Sequence, residues 1–281
     1  MNKIKIALQK SGRLYVESIK FLKDCGINIS FCYKDKLRAL ARNFPMEFFF
    51  LRDDDIPNYI QDGITYIGIV GKNVVCEQKK IFLIKEKLGF GVCRLSLAVT
   101  KSTIYKKLKD FYGKRIATSY PNILKNYLEE KNIYSDIHNI SGSVEVATDL
   151  GIAYAICDIV NSGETLFKNN LKEIEQIFAS EAVMLCCPKY DQYRLVRLFL
   201  FRIQATKRAI NNKIILFFAT NNKLDKIFSF LGNAIIPIRN STKYSYVQVI
   251  VDDKIIWNTI YNISINGAIQ VIVLPIQKLF I

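Results

Sequence analysis

The residues with the clearest chemical potential lie at the end of one apolar run, where Asp158 is followed by the segment 161–165, NSGET. The glycine of this segment lets the backbone turn sharply and approach a ligand, while its hydroxyls add donors to the exposed amide N–H groups. An ionised Asp158 offers only acceptors, which suits a pair of sugar hydroxyls. The pattern predicts a binding site for a ribose phosphate. An ordinary strand–loop–helix turn is the alternative, because short motifs also occur by chance.

A second polar segment, 9–13 with the sequence QKSGR, follows a short predicted strand at Lys3–Leu8. A predicted helix runs from about Leu14 to Asp24. An ammonium, a hydroxyl, a glycine and a guanidinium beside a helix N-terminus favour phosphate binding. The alternative is a βα loop whose Lys10 and Arg13 are simply solvated.

Other residue types argue against several kinds of chemistry. The seven cysteines contain no CxxC pair, and the one histidine, His138, falls in a predicted strand. Zinc binding and a histidine-dependent triad are therefore disfavoured. The carboxylates at 53–55 suggest a magnesium site, but three consecutive side chains cannot all face one way. Asp55 precedes an Ile-Pro helix start and is expected to cap that helix.

The charge of the chain is strongly positive, at +15 over 281 residues. Such a charge permits nucleic-acid binding. Lysine and arginine are spread along the chain without a basic block, however, and a distributed positive field also suits anionic small substrates. No apolar run approaches the ~18 residues of a membrane span. Since the N-terminus enters a short strand without a signal-peptide core, we expect a cytoplasmic protein.

The elements that position these residues alternate between strands and helices, which predicts an α/β protein. The apolar run from Ala153 reads as a buried parallel strand. Phe90–Val99 reads as a long strand that crosses between domains, and Glu173–Cys187 returns the chain to the first domain. After the basic helix Tyr190–Ile210, the segment 211–281 has the order βαββαβ of a ferredoxin-like domain.

With these pieces in order, the chain resembles the long form of the ATP phosphoribosyltransferase family, which catalyses the first step of histidine biosynthesis. One matching motif would be weak, whereas eight in order are specific. The matching segments are LQKSGRL (8–14), RDDDIP (52–57), GIVG (68–71), GVCRLSLA (91–98), KRIATSYP (114–121), GSVEVA (142–147), AICDIVNSGETL (155–166) and VLPIQK (273–278).

The resemblance implies a core like the type II periplasmic binding proteins, with an active site between two lobes. Residues 1–96 with 182–210 would form lobe I, and 97–181 would form lobe II. Residues 211–281 would then be a regulatory domain that senses histidine. The resemblance also implies a homo-oligomer, a dimer or hexamer, with no nucleic-acid or membrane partner.

The implied reaction is a pentosyl transfer that uses Mg2+. ATP and 5-phosphoribosyl 1-diphosphate (PRPP) would give N1-(5-phosphoribosyl)-ATP and diphosphate. The PRPP-binding residues carried over are Asp158, Asn161, Ser162, Gly163, Glu164 and Thr165. The ATP-binding residues carried over are Lys10, Ser11, Gly12, Arg13, Arg52, Gly91 and Arg115. No residue is assigned as a metal ligand.

The catalytic residues that we expect are Glu145, Arg94 and Lys10. Adenine N1 already carries a lone pair, so its attack on ribose C1 needs no base. An acceptor near N6 would help once N1 is alkylated, and Glu145 is the proposed acceptor. The alternative is that Glu145 is a helix-start carboxylate that caps its own turn.

Three departures from the family pattern bear on function. Tyr66 stands where relatives usually carry Asp, so we expect a polar contact in the cleft to be missing or moved. Glu164 places a carboxylate beside the expected phosphate. The regulatory domain is shortened between Leu231 and Ile238, near where the family binds histidine. Two other classes stay open at this point. One is a solute-binding protein with the same cleft, and the other is a nucleic-acid-binding protein suggested by charge alone.

Overall fold

The computed structural model describes residues 3–32, 35–231, 235–239 and 243–280. The strands, in chain order, are β1 (Ile4–Gln9), β2 (Ile29–Cys32), β3 (Asp35–Ala41), β4 (Met46–Leu51), β5 (Ile67–Gly71), β6 (Leu83–Lys87), β7 (Cys93–Thr100), β8 (Arg115–Thr118), β9 (Asp136–Asn139), β10 (Ala155–Val160), β11 (Leu171–Ser180), β12 (Ala182–Cys186), β13 (Asn212–Thr220), β14 (Ile235–Arg239), β15 (Tyr244–Asp252) and β16 (Ile269–Pro275). The α-helices are α1 (Arg13–Asp24), α2 (Ile56–Gln61), α3 (Lys72–Glu77), α4 (Pro121–Glu130), α5 (Glu164–Lys168), α6 (Arg194–Ile210), α7 (Leu224–Phe228) and α8 (Ile256–Ile265).

The chain divides into two compact units. The first comprises Met1–Lys23 and Ile27–Val196, and the second comprises Asp24–Gly26 and Arg197–Ile281. Within the described residues, no helix combines the length and apolarity needed to cross a lipid bilayer.

Two sheets build the first unit, and both follow one plan. The seven-stranded sheet has the order β2-β3-β4-β1-β5-β12-β6, and the five-stranded sheet has the order β11-β7-β10-β8-β9. Each contains three neighbouring parallel strands, β4-β1-β5 or β9-β8-β10, beside an antiparallel strand, β12 or β7. The two sheets give the two-lobed α/β core that was predicted.

Two chain crossings connect the sheets of this unit. The chain passes from β6 into β7 and returns from β11 to β12, as the apolar runs predicted. Strand β7 begins at Cys93, later than expected, because Gly91 adopts a left-handed φ of 62° that an extended strand does not allow.

Alternation along β7 and β10 gives the five-stranded sheet two different faces. One face carries Leu95 and Leu97 and packs against Leu124 and Leu128 of α4. The other face carries small or apolar residues and lies under residues 144–147 and α5. Asp158 lies on this second face, because it alternates with Ile156 and Val160, which both pack there.

The second unit contains a four-stranded antiparallel sheet with the order β14-β15-β13-β16. Its element order, β13-α7-β14-β15-α8-β16, confirms the βαββαβ prediction. Alternate residues of β13 and β15, including Phe217 and Val249, form its core with Ile227 and Ile263. The outer face of α8 exposes Trp257, at 80% relative accessibility.

Candidate active site

The turn after β10 is built as a phosphate-binding turn requires. Gly163 has a φ of +84°, a left-handed conformation that side chains rarely adopt, and it directly precedes α5. The Ser162 hydroxyl accepts a long hydrogen bond of 3.4 Å from the Glu164 amide. Among the described residues, no hydrogen bond uses the backbone amides of Ser162 or Gly163. Ser162 and Thr165 are exposed. Donors at this turn are therefore available to an anion.

Asp158 lies two residues before the end of β10, opposite Ser96 of β7. One carboxylate oxygen, Oδ1, accepts the Ile159 amide at 2.8 Å. Burial raises the pKa of Asp158 to about 6, and the nearby charge of Glu145 contributes to the rise. The side chain therefore titrates close to neutrality and has one oxygen without this backbone donor.

Glu145 lies in a short 3-10 turn, Val144–Val146, that begins after Ser143 in a left-handed conformation. No side chain caps this turn, and within the described residues no hydrogen bond reaches the Glu145 carboxylate. The capping role that was the alternative for Glu145 is therefore not observed. Val144 and Ala147 pack in one cluster with Ile156 and Val160, so the turn that carries Glu145 lies beside the strand that carries Asp158.

The loop between β1 and α1 presents the cations predicted there. The Lys10 amide donates to the carbonyl of Leu51, which brings this loop beside Arg52 at the end of β4. Gly12 has a φ of +88°, and Lys10, Ser11 and Arg13 are exposed. Arg52 is exposed as well.

Glu17 fixes the position of two predicted site residues. Its carboxylate accepts Arg13 Nε at 2.7 Å and the Gly91 amide at 2.7 Å. The loop after β1 is thereby joined to the segment that leads into β7. Gly91 suits this position because its φ of 62° is a left-handed conformation that side chains rarely adopt.

Only one of the three consecutive aspartates, Asp53, faces the cleft. Asp54 and Asp55 are exposed. Asp55 precedes α2, but its side chain makes no capping hydrogen bond, so the predicted cap is wrong. A 3-10 turn over Asp53–Asp55 continues directly into α2 and leaves Asp55 in a helical conformation, from which its side chain does not reach the amides ahead of it.

A cavity of about 250 Å³ brings these loops together between the two sheets of the first unit. It includes residues from the β1–α1 loop, from the chain crossing and from the end of β10. The lining residues are Gln9, Arg13, Leu14, Asp53, Gly71, Asn73, Val74, Gly91, Val92, Cys93, Ile159 and Asn161.

Arg94 reaches the site differently from the expectation. Its guanidinium forms two hydrogen bonds to Glu173, from Nε to Oε1 at 2.5 Å and from Nη2 to Oε2 at 2.6 Å. Its Nη1 donates to the Asn161 carbonyl at 3.1 Å. Arg94 therefore contacts the phosphate turn through backbone and is already paired with an anion.

Two residues predicted near the cleft lie at the other end of their strands. Arg115 is the first residue of β8, pairs with Asp136 at 2.6 Å, and lies beside the start of β10. Tyr66 precedes β5, and its ring stacks on Tyr190 with centroids 3.8 Å apart. At about 3.3 Å per strand residue, Arg115 lies about 10 Å and Tyr66 about 16 Å from the carboxyl ends of their own strands. The structure does not bring Arg115 to the site. Tyr66 contacts Tyr190 at the amino end of β5, and the expectation that a cleft contact is missing or moved stays a prediction.

A buried polar network was missed by the sequence reasoning. The Asn73 amide donates to Ser180 Oγ at 3.0 Å, and that hydroxyl donates to Asn73 Oδ1 at 2.8 Å. Asn73 Nδ2 then donates to the Tyr120 hydroxyl at 3.1 Å. Burial raises the pKa of Tyr120, and the charges of Asp158 and Asp53 raise it further. The only local signal was the polar Asn73, two residues after Gly71.

The fold and site define a two-lobed α/β protein with a phosphate-type turn and a cationic loop on a shared cleft. The family model of ATP phosphoribosyltransferase matches residues 52–205. An ATP phosphoribosyltransferase of Cytophaga hutchinsonii is 43% identical over 98% of this chain and 98% of its own length. That of Parabacteroides distasonis is 41% identical over 99% of this chain and all of its own length.

A solved structure agrees with these sequence matches. The HisG:HisZ complex of ATP phosphoribosyl transferase from Thermotoga maritima contains a chain with 27% identity and a TM-score of 0.60. The match covers 72% of this chain and 96% of that one. The chain belongs to the ATP phosphoribosyltransferase family, and it is a transferase of histidine biosynthesis.

Proposed function

We propose that the turn after β10 holds the 5-phosphate of PRPP and that Asp158 accepts hydrogen bonds from its ribose hydroxyls. The observation that carries this assignment is the pair of unused amides at Ser162 and Gly163, which follow Asp158 at the carboxyl end of β10. Thr165 supplies a hydroxyl to the same phosphate. Asn161 lines the cleft cavity, so a sugar held here is directed into it.

ATP binds against the opposite loops in this proposal. Lys10 and Arg13 follow β1, and Arg52 follows β4, so their positive charges lie together at one edge of the seven-stranded sheet. Such charges stabilise a triphosphate and the departing diphosphate. Glu17 holds Arg13 in position, and the Gly91 amide donates to the same carboxylate.

The chemical step forms a bond between adenine N1 and ribose C1 and breaks the bond from C1 to the diphosphate oxygen. The N1 lone pair supplies the electrons, and the C1–O pair leaves with diphosphate. No base is needed to create the nucleophile, so the work of the protein is alignment of two anionic substrates and stabilisation of charge. Asp158 keeps the ribose oriented while positive charge develops on the sugar.

Mg2+ enters this proposal as part of the PRPP complex. Within the described residues, no group of three or more acidic, histidine or cysteine side chains is arranged to hold a metal ion. Mg2+ commonly keeps several waters and binds substrate phosphates with few protein ligands, so an ion carried by PRPP requires no dedicated cluster from the chain. When bound, the ion neutralises the leaving diphosphate.

Glu145 accepts the proton that adenine N6 loses after N1 is alkylated. Its carboxylate makes no hydrogen bond within the described residues and lies close enough to Asp158 to raise the pKa of that residue. We expect Glu145→Gln to lower turnover with little change in either KM. An unchanged turnover number would remove Glu145 from the mechanism.

The C-terminal unit is the proposed histidine sensor, and the active enzyme is a proposed homo-oligomer, a dimer or hexamer. The βαββαβ order supports a regulatory role by analogy of fold alone. The shortened segment between Leu231 and Ile238 includes residues 232–234, which lie outside the described residues. Histidine titration of the turnover rate tests the sensor, and sedimentation at working concentration tests the assembly.

The assignment of substrates is tested by incubating the protein with ATP, PRPP and Mg2+. We expect diphosphate release together with a change in adenine absorbance, both dependent on all three components. Thr165→Ala should weaken PRPP use and keep ATP binding. Binding of either substrate without product would favour the solute-binding class, and a steep salt dependence of binding to generic DNA would favour the nucleic-acid class.

A further inference from the structure

The Arg94–Glu173 pair has the geometry of a fixed element rather than a loose surface contact. Both guanidinium–carboxylate hydrogen bonds are short, and their parallel arrangement specifies the orientation of the guanidinium plane. Ser96, which is fully buried, donates its hydroxyl to Glu173 Oε1 at 2.7 Å. The two charged side chains are only about one-third exposed. The carboxylate thus has three donors from strand β7.

The third guanidinium nitrogen points at the phosphate turn. Arg94 Nη1 donates to the carbonyl oxygen of Asn161, the first residue after β10. A trans peptide is planar, so its C=O and the following N–H point in opposite directions. Holding the Asn161 carbonyl towards Arg94 therefore directs the Ser162 N–H away from Arg94, to the side where no protein acceptor meets it.

We propose that Glu173 is a positioning residue for PRPP binding, which acts by holding Arg94 against the Asn161 carbonyl and so orienting the Ser162 amide. This inference rests on the proposed role of the turn as the 5-phosphate site. It also reassigns Arg94, which the amino-acid sequence led us to expect among the catalytic residues. A guanidinium neutralised by Glu173 is poorly suited to stabilise the charge of the departing diphosphate, whereas it is well suited to fix a carbonyl.

Separate KM and kcat values distinguish a positioning role from a catalytic one. Glu173→Gln keeps the shape of the side chain but loses its charge, and Arg94→Lys keeps a charge but loses the planar fork. For both variants we expect KM for PRPP to rise about tenfold, the scale of one charged hydrogen bond. The kcat at saturating PRPP and KM for ATP should stay within about twofold. A fall in kcat with unchanged KM for PRPP would overturn the inference and return Arg94 to the leaving group.

A double-mutant cycle tests whether the two residues act as one unit. If Glu173 acts only through Arg94, Arg94→Ala with Glu173→Ala should raise KM for PRPP no further than Arg94→Ala alone. Multiplication of the two single effects would overturn the proposed route. Ser96→Ala, which removes one donor to Glu173, should give a smaller rise and serves if the charged variants fold poorly.

The matched control is Glu129→Gln, which breaks an exposed ion pair with Lys125 on α4 of the same unit. It should leave KM for PRPP unchanged. Wild-type protein that neither binds nor consumes PRPP would contradict the proposed function itself. Wild-type protein that consumes PRPP, with a Glu173→Gln variant of the same thermal midpoint and the same KM, would contradict only the positioning role.

Discussion

The β5–α3 junction, residues 71–73, and the turn after β10 occupy equivalent places in the two sheets of the first unit. Each lies at the carboxyl end of the last of three parallel strands, borders an antiparallel strand, contains a glycine and leads into a short helix. The two differ in what fills them. In the first, the Lys72 amide donates to the Glu181 carbonyl and the Asn73 amide donates to Ser180 Oγ. In the second, the amides of Ser162 and Gly163 have no such acceptor within the described residues.

Gly71 and Gly163, the glycines at these two places, serve different purposes. A Cβ on Gly71 would lie 2.3 Å from Asn73 Oδ1, so this glycine is required by the internal network. A Cβ on Gly163 would meet nothing within 4 Å, and that glycine is required only by its φ of +84°. One backbone layout therefore becomes structural where protein groups occupy it and remains available for a ligand where they do not.

The largest expected effect comes from Asp158→Asn, which should lower kcat/KM for PRPP about a hundredfold by replacing an acceptor-only carboxylate. The same change should raise stability at pH 7. The pKa of Asp158 is about 6 when folded, above its ordinary value near 4, so the ionised group destabilises the folded state. The gain should be complete above about pH 6 and vanish towards pH 4. Kinetics and thermal midpoints measured together test this, and a lowered midpoint at pH 7 would contradict it.

At the β5–α3 junction we expect the opposite result, a large effect on stability and a small one on PRPP use. Asn73→Ala should lower the free energy of unfolding by about 2–3 kcal/mol, because Ser180 and Tyr120 lose their buried partner. KM for PRPP should change less than it does in Asp158→Asn. The matched change in the turn, Ser162→Ala, should alter stability by less than about 0.5 kcal/mol. Urea unfolding of both variants measures the difference, and equal losses would remove the contrast between the loops.

The pH dependence of PRPP use should reflect Asp158. Since protonation removes the negative charge and turns one carboxylate oxygen into a donor, kcat/KM for PRPP should fall as pH drops through about 6. Glu145→Gln removes a like charge. This lowers the pKa of Asp158 and moves the fall in kcat/KM to lower pH. The move should be under about one unit, because burial, the larger cause, remains. The titration of PRPP itself is common to both proteins, so only the difference between their profiles is diagnostic. A shift to higher pH would contradict the assignment.

The smallest expected effect comes from Glu164→Ala. Its carboxylate pairs with Lys168 at 2.7 Å, and both side chains are about two-thirds exposed, so the charge is directed along α5 into solvent. Exposed pairs of this kind contribute roughly 0–1 kcal/mol. KM for PRPP should change less than about twofold, and a decrease of tenfold would show that the carboxylate opposes the phosphate.

Local features of the fold and site were predictable, because they rest on neighbouring residues. The apolar run of β10, the glycine at 163 and the hydroxyls beside it determine one turn, and their spacing alone indicated it. The βαββαβ order of the C-terminal unit followed in the same way from the alternation of short periodic segments. Strand direction also carried unused information. Arg115 is the first residue of β8 and Tyr66 directly precedes β5, so each had to lie at the amino end, away from the cleft.

The features that could not be predicted depend on register between distant strands. Arg94 and Glu173 are 79 residues apart, and their contact arises where β11 pairs with β7 through two irregularities. Asn73 and Ser180 are separated by 107 residues and meet only because β12 returns beside β5. Neither partner has a local pattern that identifies the other.

The placement of Trp257 has a practical consequence for spectroscopy. It is the single tryptophan of the chain, it lies on α8 in the second unit, and it is largely in contact with solvent. Selective excitation of indole therefore observes that unit alone, while the tyrosine cluster at residues 66, 190 and 193 belongs to the other. Tyrosines occur in both units, so indole emission is the signal that reports on the second unit specifically, and it needs no added label.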